Sequence, residues 1–285
     1  MRDVARLVTL VERDDPAAPG ERADALHAIE DRPRAPVVGI TGAPGVGKST
    51  LLGAVAAALL DDDGPRRIAI LAVDPSSAVS GGALLGDRTR IQVPSDRVFV
   101  RSQASQAMTG GLAPSTYPVV RALRRLFDLV LLETVGVGQS EDDVRHVADA
   151  TYLLLQPLAG DALQHLKAGV MEAPDALVVT KCDAGEVARR AVSELEGALG
   201  LARPGERIPV HAVIARTGAG VAELATAVAA TSPAADERAR DDWYVTRAVL
   251  HAHGRRGVER LTERGLPASG SLDERLAAAL ARASS

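Results

Sequence analysis

The chain has 285 residues, with 37 acidic against 33 basic side chains, a formal net charge of −4 at pH 7 and a sequence isoelectric point near 5.9. That balance offers no broad electropositive field, so neither nucleic acid nor an anionic membrane surface is an expected partner. Hydrophobic residues make up 46% but aromatics only 2%, so the core must be filled by Val, Leu, Ile and Ala, which suits a sheet covered by helices. The single cysteine, Cys182, excludes an internal disulfide and, with no C-x-x-C pair, a cysteine-based zinc or redox centre. Met1–Gly20 carries Arg2, Asp3, Arg6, Glu12, Arg13, Asp14 and Asp15, the wrong composition for a signal peptide. No stretch approaches the ~18 apolar residues that span a bilayer, and a cytoplasmic location is expected.

In chain order, Val4, Leu7, Val8 and Val11 give a helical rhythm over residues 2–11, broken by Pro and Gly between Asp15 and Gly20. A second short helix is predicted over Glu21–Glu30. Val37–Thr41 reads as a buried strand and Ser49–Leu60 as the helix that follows a glycine-rich loop. The runs Ile68–Val73, Val98–Arg101, Leu129–Leu132, Tyr152–Gln156, Ala176–Thr180 and Pro209–Ile214 are further strands, and Asp61–Asp63 with Gly64-Pro65 is a solvated turn. Between them, helices are predicted over Tyr117–Leu126, Asp161–Met171, Gly185–Leu199 and Gly220–Ala230. Apolar strands alternating with helices imply an α/β fold with a mainly parallel central sheet flanked by helices. From Ser232 the composition turns rich in Arg, Ala and Glu, with a helical look through Leu250. The expected organisation is a helical N-terminal extension over 1–34, a nucleotide-binding domain over 35–231 and a helical C-terminal segment over 232–285, suited to pack on the domain or on a second subunit.

Gly42-Ala43-Pro44-Gly45-Val46-Gly47-Lys48-Ser49 matches G-x-x-x-x-G-K-[ST] in full, between a predicted strand and a predicted helix, with Thr50 next in line. Such a loop folds tightly enough for successive amides and the helix N-terminus to converge on phosphate oxygens. Lys48 then brings a positive charge to the β- and γ-phosphates, and the Ser49 hydroxyl is a ligand for Mg²⁺. Phosphoryl transfer also needs carboxylates, and three candidates lie at or beyond predicted strand ends: Asp74, Asp87 and Glu133. A second glycine-rich turn, Glu133-Thr134-Val135-Gly136-Val137-Gly138-Gln139-Ser140-Glu141, follows the strand 129–132. There the Gly136 amide is a candidate contact for a γ-phosphate and Gln139 a candidate to orient water. Thr180-Lys181-Cys182-Asp183 follows another buried strand. A carboxylate there accepts two hydrogen bonds from guanine N1 and N2, for which adenine has no matching donors, so GTP is favoured over ATP. Lys181 is placed to cover the base with its aliphatic stem. Ile214-Ala215-Arg216 closes the last predicted strand, with the Ala215 amide a candidate for guanine O6.

Gly39–Thr50, Val73-Asp74-Pro75-Ser76-Ser77, Gly86-Asp87-Arg88-Thr89-Arg90, Glu133–Glu141 and Gly160-Asp161-Ala162-Leu163-Gln164-His165-Leu166-Lys167 together resemble the MeaB/ArgK family of P-loop G-proteins. The resemblance runs from the N-terminal helix to about residue 225. It implies a GTPase chaperone of a cobalamin-dependent acyl-CoA mutase, methylmalonyl-CoA mutase above all, acting as a homodimer in loading, protecting or rescuing the cofactor. It further implies that Ser49, Asp74, Asp87 and Glu133 surround Mg²⁺ and the attacking water. Residues 160–172 would form an additional switch, with Gln164 and Lys167 in it. The chain departs from the family pattern at Thr180, where Asn is usual, and at Ile214, where Ser is usual. Ala162 and Ala168 likewise replace an acid and a lysine. Two other readings are a metallochaperone-type GTPase, disfavoured because only His251 and His253 are close and share no helix face, and a small-substrate kinase or transport ATPase, disfavoured by Asp183.

Overall fold

A computed structural model describes residues 1–13, 19–60, 66–74, 91, 93–104, 112–134, 139–157, 174–202 and 207–284. Seven strands form one sheet: β1 (Val37–Gly42), β2 (Ile68–Asp74), β3 (Val98–Ala104), β4 (Leu129–Glu133), β5 (Ala150–Leu155), β6 (Ala176–Val179) and β7 (Val210–Ala212). Their order is β3-β2-β4-β1-β5-β6-β7, and every pairing is parallel. The helices are α1 (Arg2–Glu12), α2 (Pro19–His27), α3 (Lys48–Leu60), α4 (Thr116–Leu126), α5 (Gln139–Val147), α6 (Glu186–Ala202), α7 (Val221–Ala229), α8 (Glu237–Arg264) and α9 (Leu272–Ser284), with a 3₁₀ turn at Cys182–Ala184.

A strand buried on both faces sends alternate side chains to two helix layers. In β2 and β4, Ile68, Ile70, Leu129 and Leu131 join α3 and α7 in one core. Ala69, Leu71, Val130 and Leu132 point the other way, into a core shared with α1, α4, α5, α8 and α9. A smaller cluster of Leu153, Leu155, Leu177 and Val179 with Leu195 and Leu199 seats α6. Gly39 lets α5 lie close on β1, since a Cβ there would stand 2.6 Å from Val144 Cγ2.

The second core is tied together by the arginines of α4. Arg124 donates to the Ala35 carbonyl at 3.1 Å and to Asp149 Oδ2 at 3.1 Å. Arg125 pairs with Glu237 at 2.9 Å, and Arg121 pairs with Glu30 and, at 2.8 Å, with Asp241. The Asp149 side chain is fully buried. It accepts the Val37 amide at 2.7 Å and the Ala234 amide at 2.8 Å and pairs with Arg240 at 2.8 Å, joining the start of β1 to the approach to α8. Burial pushes the Asp241 carboxyl pKa up, with Arg121, the Tyr117 hydroxyl and Arg275 acting in the opposite sense. Buried Arg275 of α9 bonds Asp241, Asp242 and the Pro267 carbonyl, so α9 folds back along α8.

The structure differs from the sequence-based expectation in several places. The turn expected over Glu133–Glu141 gives way to α5 from Gln139, a helix whose buried Val144 and Val147 are too few to register as a periodic stripe. Helical structure runs past Leu250 to Arg264, interrupted at Gly254 (φ 64°, ψ −167°), where two helical segments meet at a kink, and is followed by α9. Strand β3 continues beyond the expected end at Arg101 through polar Ser102 and Gln103 to Ala104, which an edge strand tolerates. The expected turn at 61–65 and helix over 161–171 lie outside the described residues, and among those described no helix is long and apolar enough to cross a membrane.

Asp149→Ala leaves Arg124, Arg240 and two amides without their carboxylate, and removing one member of a buried pair costs about 3–5 kcal/mol. Urea unfolding followed by far-UV circular dichroism checks this. The comparison is Glu186→Ala, whose exposed pair with Arg190 is worth under about 0.5 kcal/mol.

Candidate functional site

β1 and β4 lie side by side, with Ile40 opposite Glu133, yet β1 continues into α3 on one face and β4 into α5 on the other. Such a reversal opens a crevice at the carboxyl ends of the strands, where ligands of open α/β sheets bind. The glycine-rich loop fills it. Gly42 has φ +142°, and a Cβ there would come 2.5 Å from the Leu154 carbonyl, so only glycine fits between β1 and β5. Lys48 is the first residue of α3; its buried ammonium donates to the Gly42 carbonyl at 2.7 Å and the Ala43 carbonyl at 3.2 Å. The loop thereby curls around its own lysine, at a helix N-terminus whose dipole favours an anion.

Ser49 donates to Glu133 Oε1 at 3.0 Å, which links the loop to the end of β4. Glu133 stands opposite Ala72 of β2, and Asp74 follows two residues on, so a hydroxyl and two buried carboxylates come from three neighbouring strand ends. Among the described residues no three His, Cys, Asp or Glu side chains gather for a metal ion. The set fits Mg²⁺ all the same, because that ion takes hard oxygen ligands, one or two carboxylates with phosphate and water completing the octahedron. Thr41, which precedes Gly42 of the glycine-rich loop, and Thr134, which follows Glu133, have buried hydroxyls without a hydrogen-bond partner among the described residues. Such orphans are uncommon unless water or a ligand meets them. Asp87, Gly136, Gln164 and Lys167 lie outside the described residues, and Gln139 opens α5 with its side chain likewise outside.

On the far side of the loop, Thr180 Oγ1 lies 2.8 Å from the Val46 carbonyl and 3.2 Å from that of Leu155. The Leu155 carbonyl already takes the Thr180 amide at 2.8 Å, so the one hydroxyl proton serves Val46. Lys181 holds φ 56° and ψ 38°, the one positive-φ non-glycine among the described residues, and its ammonium reaches the Gly45 carbonyl at 3.0 Å. Non-glycine residues in this region carry strain and cluster at functional sites. Gln156, at the end of β5, donates to the same Gly45 carbonyl at 3.0 Å. Sequence reading placed Gln156 at a strand end but gave it no role; its position just past a strand beside β1 was the available signal. Cys182 donates its amide to the Val213 carbonyl at 3.3 Å, bringing the two expected base-side loops together, and burial raises its thiol pKa. Asp183 is exposed in the 3₁₀ turn. The Ile214 carbonyl accepts the Thr217 and Gly218 amides, so Ala215 and Arg216 ride on a closed turn.

Thr180→Val keeps the shape of the side chain and removes the donor to Val46. Loss of one such bond, worth about 1 kcal/mol, weakens GTP binding about fivefold, while Thr180→Ser retains it. Titration with a fluorescent guanine nucleotide measures both.

A family model described as methylmalonyl Co-A mutase-associated GTPase MeaB matches residues 4–255. A probable GTPase of Mycobacterium tuberculosis is 41% identical over 232 residues, covering 77% of this chain and 67% of that protein. A putative GTPase of Pyrococcus horikoshii is 40% identical over 234 residues, 78% of this chain and 71% of the relative. The mitochondrial methylmalonic aciduria type A homolog of Mus musculus is 40% identical over 195 residues, 66% of this chain but 46% of that protein. Among solved structures, an LAO/AO transport system kinase superposes with a TM-score of 0.60 at 24% identity, covering 99% of this chain and 75% of its own. HypB from Helicobacter pylori in complex with nickel gives 0.50 at 16% identity, covering 74% and 92%; both likenesses concern the fold alone. With the family model running over most of its length, this chain belongs to the MeaB family of methylmalonyl-CoA mutase-associated GTPases and is a GTPase.

Proposed function

We propose that this GTPase serves a cobalamin-dependent acyl-CoA mutase, methylmalonyl-CoA mutase in the first instance, as a homodimeric cytoplasmic chaperone in cofactor loading, protection or reactivation. The family supports the partner. The observation that carries the mechanism is the Ser49–Glu133 hydrogen bond, which joins the phosphate loop to the strand leading into the second glycine-rich turn. The metallochaperone and kinase readings are not favoured, since the matched family is one of mutase-associated GTPases.

In this reading the amides of Gly42, Ala43, Gly45, Val46, Gly47, Lys48, Ser49 and Thr50, with Pro44 shaping the turn, surround the phosphates of GTP. Lys48 exchanges its loop carbonyls for β- and γ-phosphate oxygens. Ser49, Asp74 and Glu133, with Asp87, would hold Mg²⁺, which would supply neutralisation of phosphate charge. Gln139 orients the attacking water and the Gly136 amide meets the γ-phosphate. Asp183 accepts from guanine N1 and N2, Lys181 covers the ring, and Ala215, flanked by Ile214 and Arg216, donates to O6. Residues around Gln164 and Lys167 carry the nucleotide state to the mutase.

Three outcomes are expected. GTP turnover, slow alone, rises on adding purified methylmalonyl-CoA mutase; turnover indifferent to the mutase, or faster with ATP, defeats the proposal. Lys48→Ala lowers kcat by about 10²–10³, the cost of removing one preorganised charge-stabilising donor, with the circular dichroism spectrum unchanged. Asp183→Asn weakens GTP binding about a hundredfold and shifts preference to xanthosine triphosphate, whose base presents an acceptor where guanine has its 2-amino donor. Competition of the two nucleotides against a fluorescent GDP analogue reads that shift.

A further inference from the structure

The crest of the phosphate loop is gripped from outside by three side chains. The Gly45 carbonyl accepts from Gln156 Nε2 and from Lys181 Nζ, each at 3.0 Å, and the Val46 carbonyl accepts from Thr180 at 2.8 Å. We propose that Gln156 is a positioning residue of the GTPase reaction: it fixes the Gly45–Val46 peptide so that the loop turns amides, not carbonyls, toward the phosphates. The inference rests on the reading of Gly42–Ser49 as the phosphate site.

The argument is one of peptide geometry. In a planar trans peptide the carbonyl and the next residue's N–H point in opposite directions. Holding the Gly45 oxygen toward Gln156 and Lys181 therefore keeps the Val46 amide on the opposite side of the peptide, where it donates to the Ala43 carbonyl at 3.2 Å and closes the turn of the loop. Gly45 sits at φ +77° with open space where a Cβ would stand, no atom lying within 4 Å, so no side chain of its own braces the peptide and the donors on its carbonyl add to the hold. A flipped peptide would aim a carbonyl oxygen at the polyphosphate. A carbonyl oxygen has two lone pairs, and Gln156 and Lys181 supply one donor to each. The acceptor also settles which end of the Gln156 amide faces the loop, since only its NH₂ group donates. Lys181 is exposed and its charge is shared with water, whereas Gln156 is half-buried and neutral, so the glutamine grip persists at high salt.

The test measures release of N-methylanthraniloyl-GDP and steady-state GTP turnover for the full chain and for Gln156→Ala, Lys181→Ala, their double variant and Gln156→Lys. Gln156→Ala should release GDP about five- to tenfold faster and raise KM by a like factor with kcat little changed, because ground and transition states lose the same contact. Gln156→Lys keeps a donor and should recover near-native release. In the double variant the effects should combine to less than their product, because both side chains act on one carbonyl. Unchanged release in Gln156→Ala, a Gln156→Lys variant as fast as Gln156→Ala, or effects that simply multiply would overturn the proposal. Lys48→Ala is run alongside: if it too leaves GDP release and turnover unaltered, the phosphate-site reading itself fails, which separates that result from failure of Gln156 alone. Unchanged thermal melting of Gln156→Ala without nucleotide separates positioning from a folding defect.

Discussion

The site depends on a single topological constraint, the reversal between β1 and β4. The two strands are hydrogen-bonded neighbours, with Val37 opposite Val130 and Ile40 opposite Glu133, but their chains leave on opposite faces of the sheet. No helix can close over the ends of both, so the loops that follow face each other across a gap. Ser49 at the start of α3 and Glu133 at the end of β4 meet there at 3.0 Å only because the register of the two strands brings them level. A slip of one residue in β4 would turn Glu133 toward the other helix layer. That slip is opposed by the full alternation of Leu129, Val130, Leu131 and Leu132 between the two cores.

At the opposite end of the sheet the polar network around Asp149 performs a different task. Fixing β1 at Val37 and α4 at Arg124 also anchors Ala234 and Arg240, so the C-terminal helices are bound to the same strand that bears the phosphate loop. Helix α5 has a second attachment to that layer. Asp143 pairs with Arg247 of α8 at 2.6 Å, and the His146 ring stacks on Trp243 with centroids 4.9 Å apart. The helix that begins just beyond the second glycine-rich loop is thus bonded to α8 through Asp143 and His146, and α8 is in turn locked to α9 through Arg275.

The strands were legible because burial on both faces requires continuous apolar runs, and seven such runs between helical stretches specify a parallel sheet before any coordinate is seen. The phosphate loop was legible for a similar reason, since its spacing is a direct record of backbone geometry. What escaped was information held between distant residues. Nothing local marks Asp149 or Asp241 as buried; both become so because Arg124, Arg240, Arg121 and Arg275 arrive from other elements. Helix α5 escaped because its residues are mostly polar and, among its described side chains, the apolar ones buried are Val144 and Val147. Gly254, whose φ and ψ are non-helical, separates two helical segments within α8, and a glycine inside a helical pattern is the kind of position at which a sequence reading loses the helix.

Thr180 shows how a departure from a motif can be resolved by the acceptor and not by the residue name. An asparagine at this position offers an amide with two hydrogens; threonine offers one, on a β-branched side chain with few rotamers. The structure spends that hydrogen on Val46, the carbonyl whose orientation governs the next amide of the loop, Gly47. Leu155 needs nothing from it, being served by the Thr180 backbone. The neighbouring carbonyl, Gly45, is left to Gln156 and Lys181 from the ends of β5 and the loop after β6. Donor capacity lost at one strand end is therefore present at the adjacent one. Two consecutive carbonyls of the loop are thereby held by side-chain donors from two adjacent strand ends, in addition to the bonds that the loop makes to its own Lys48.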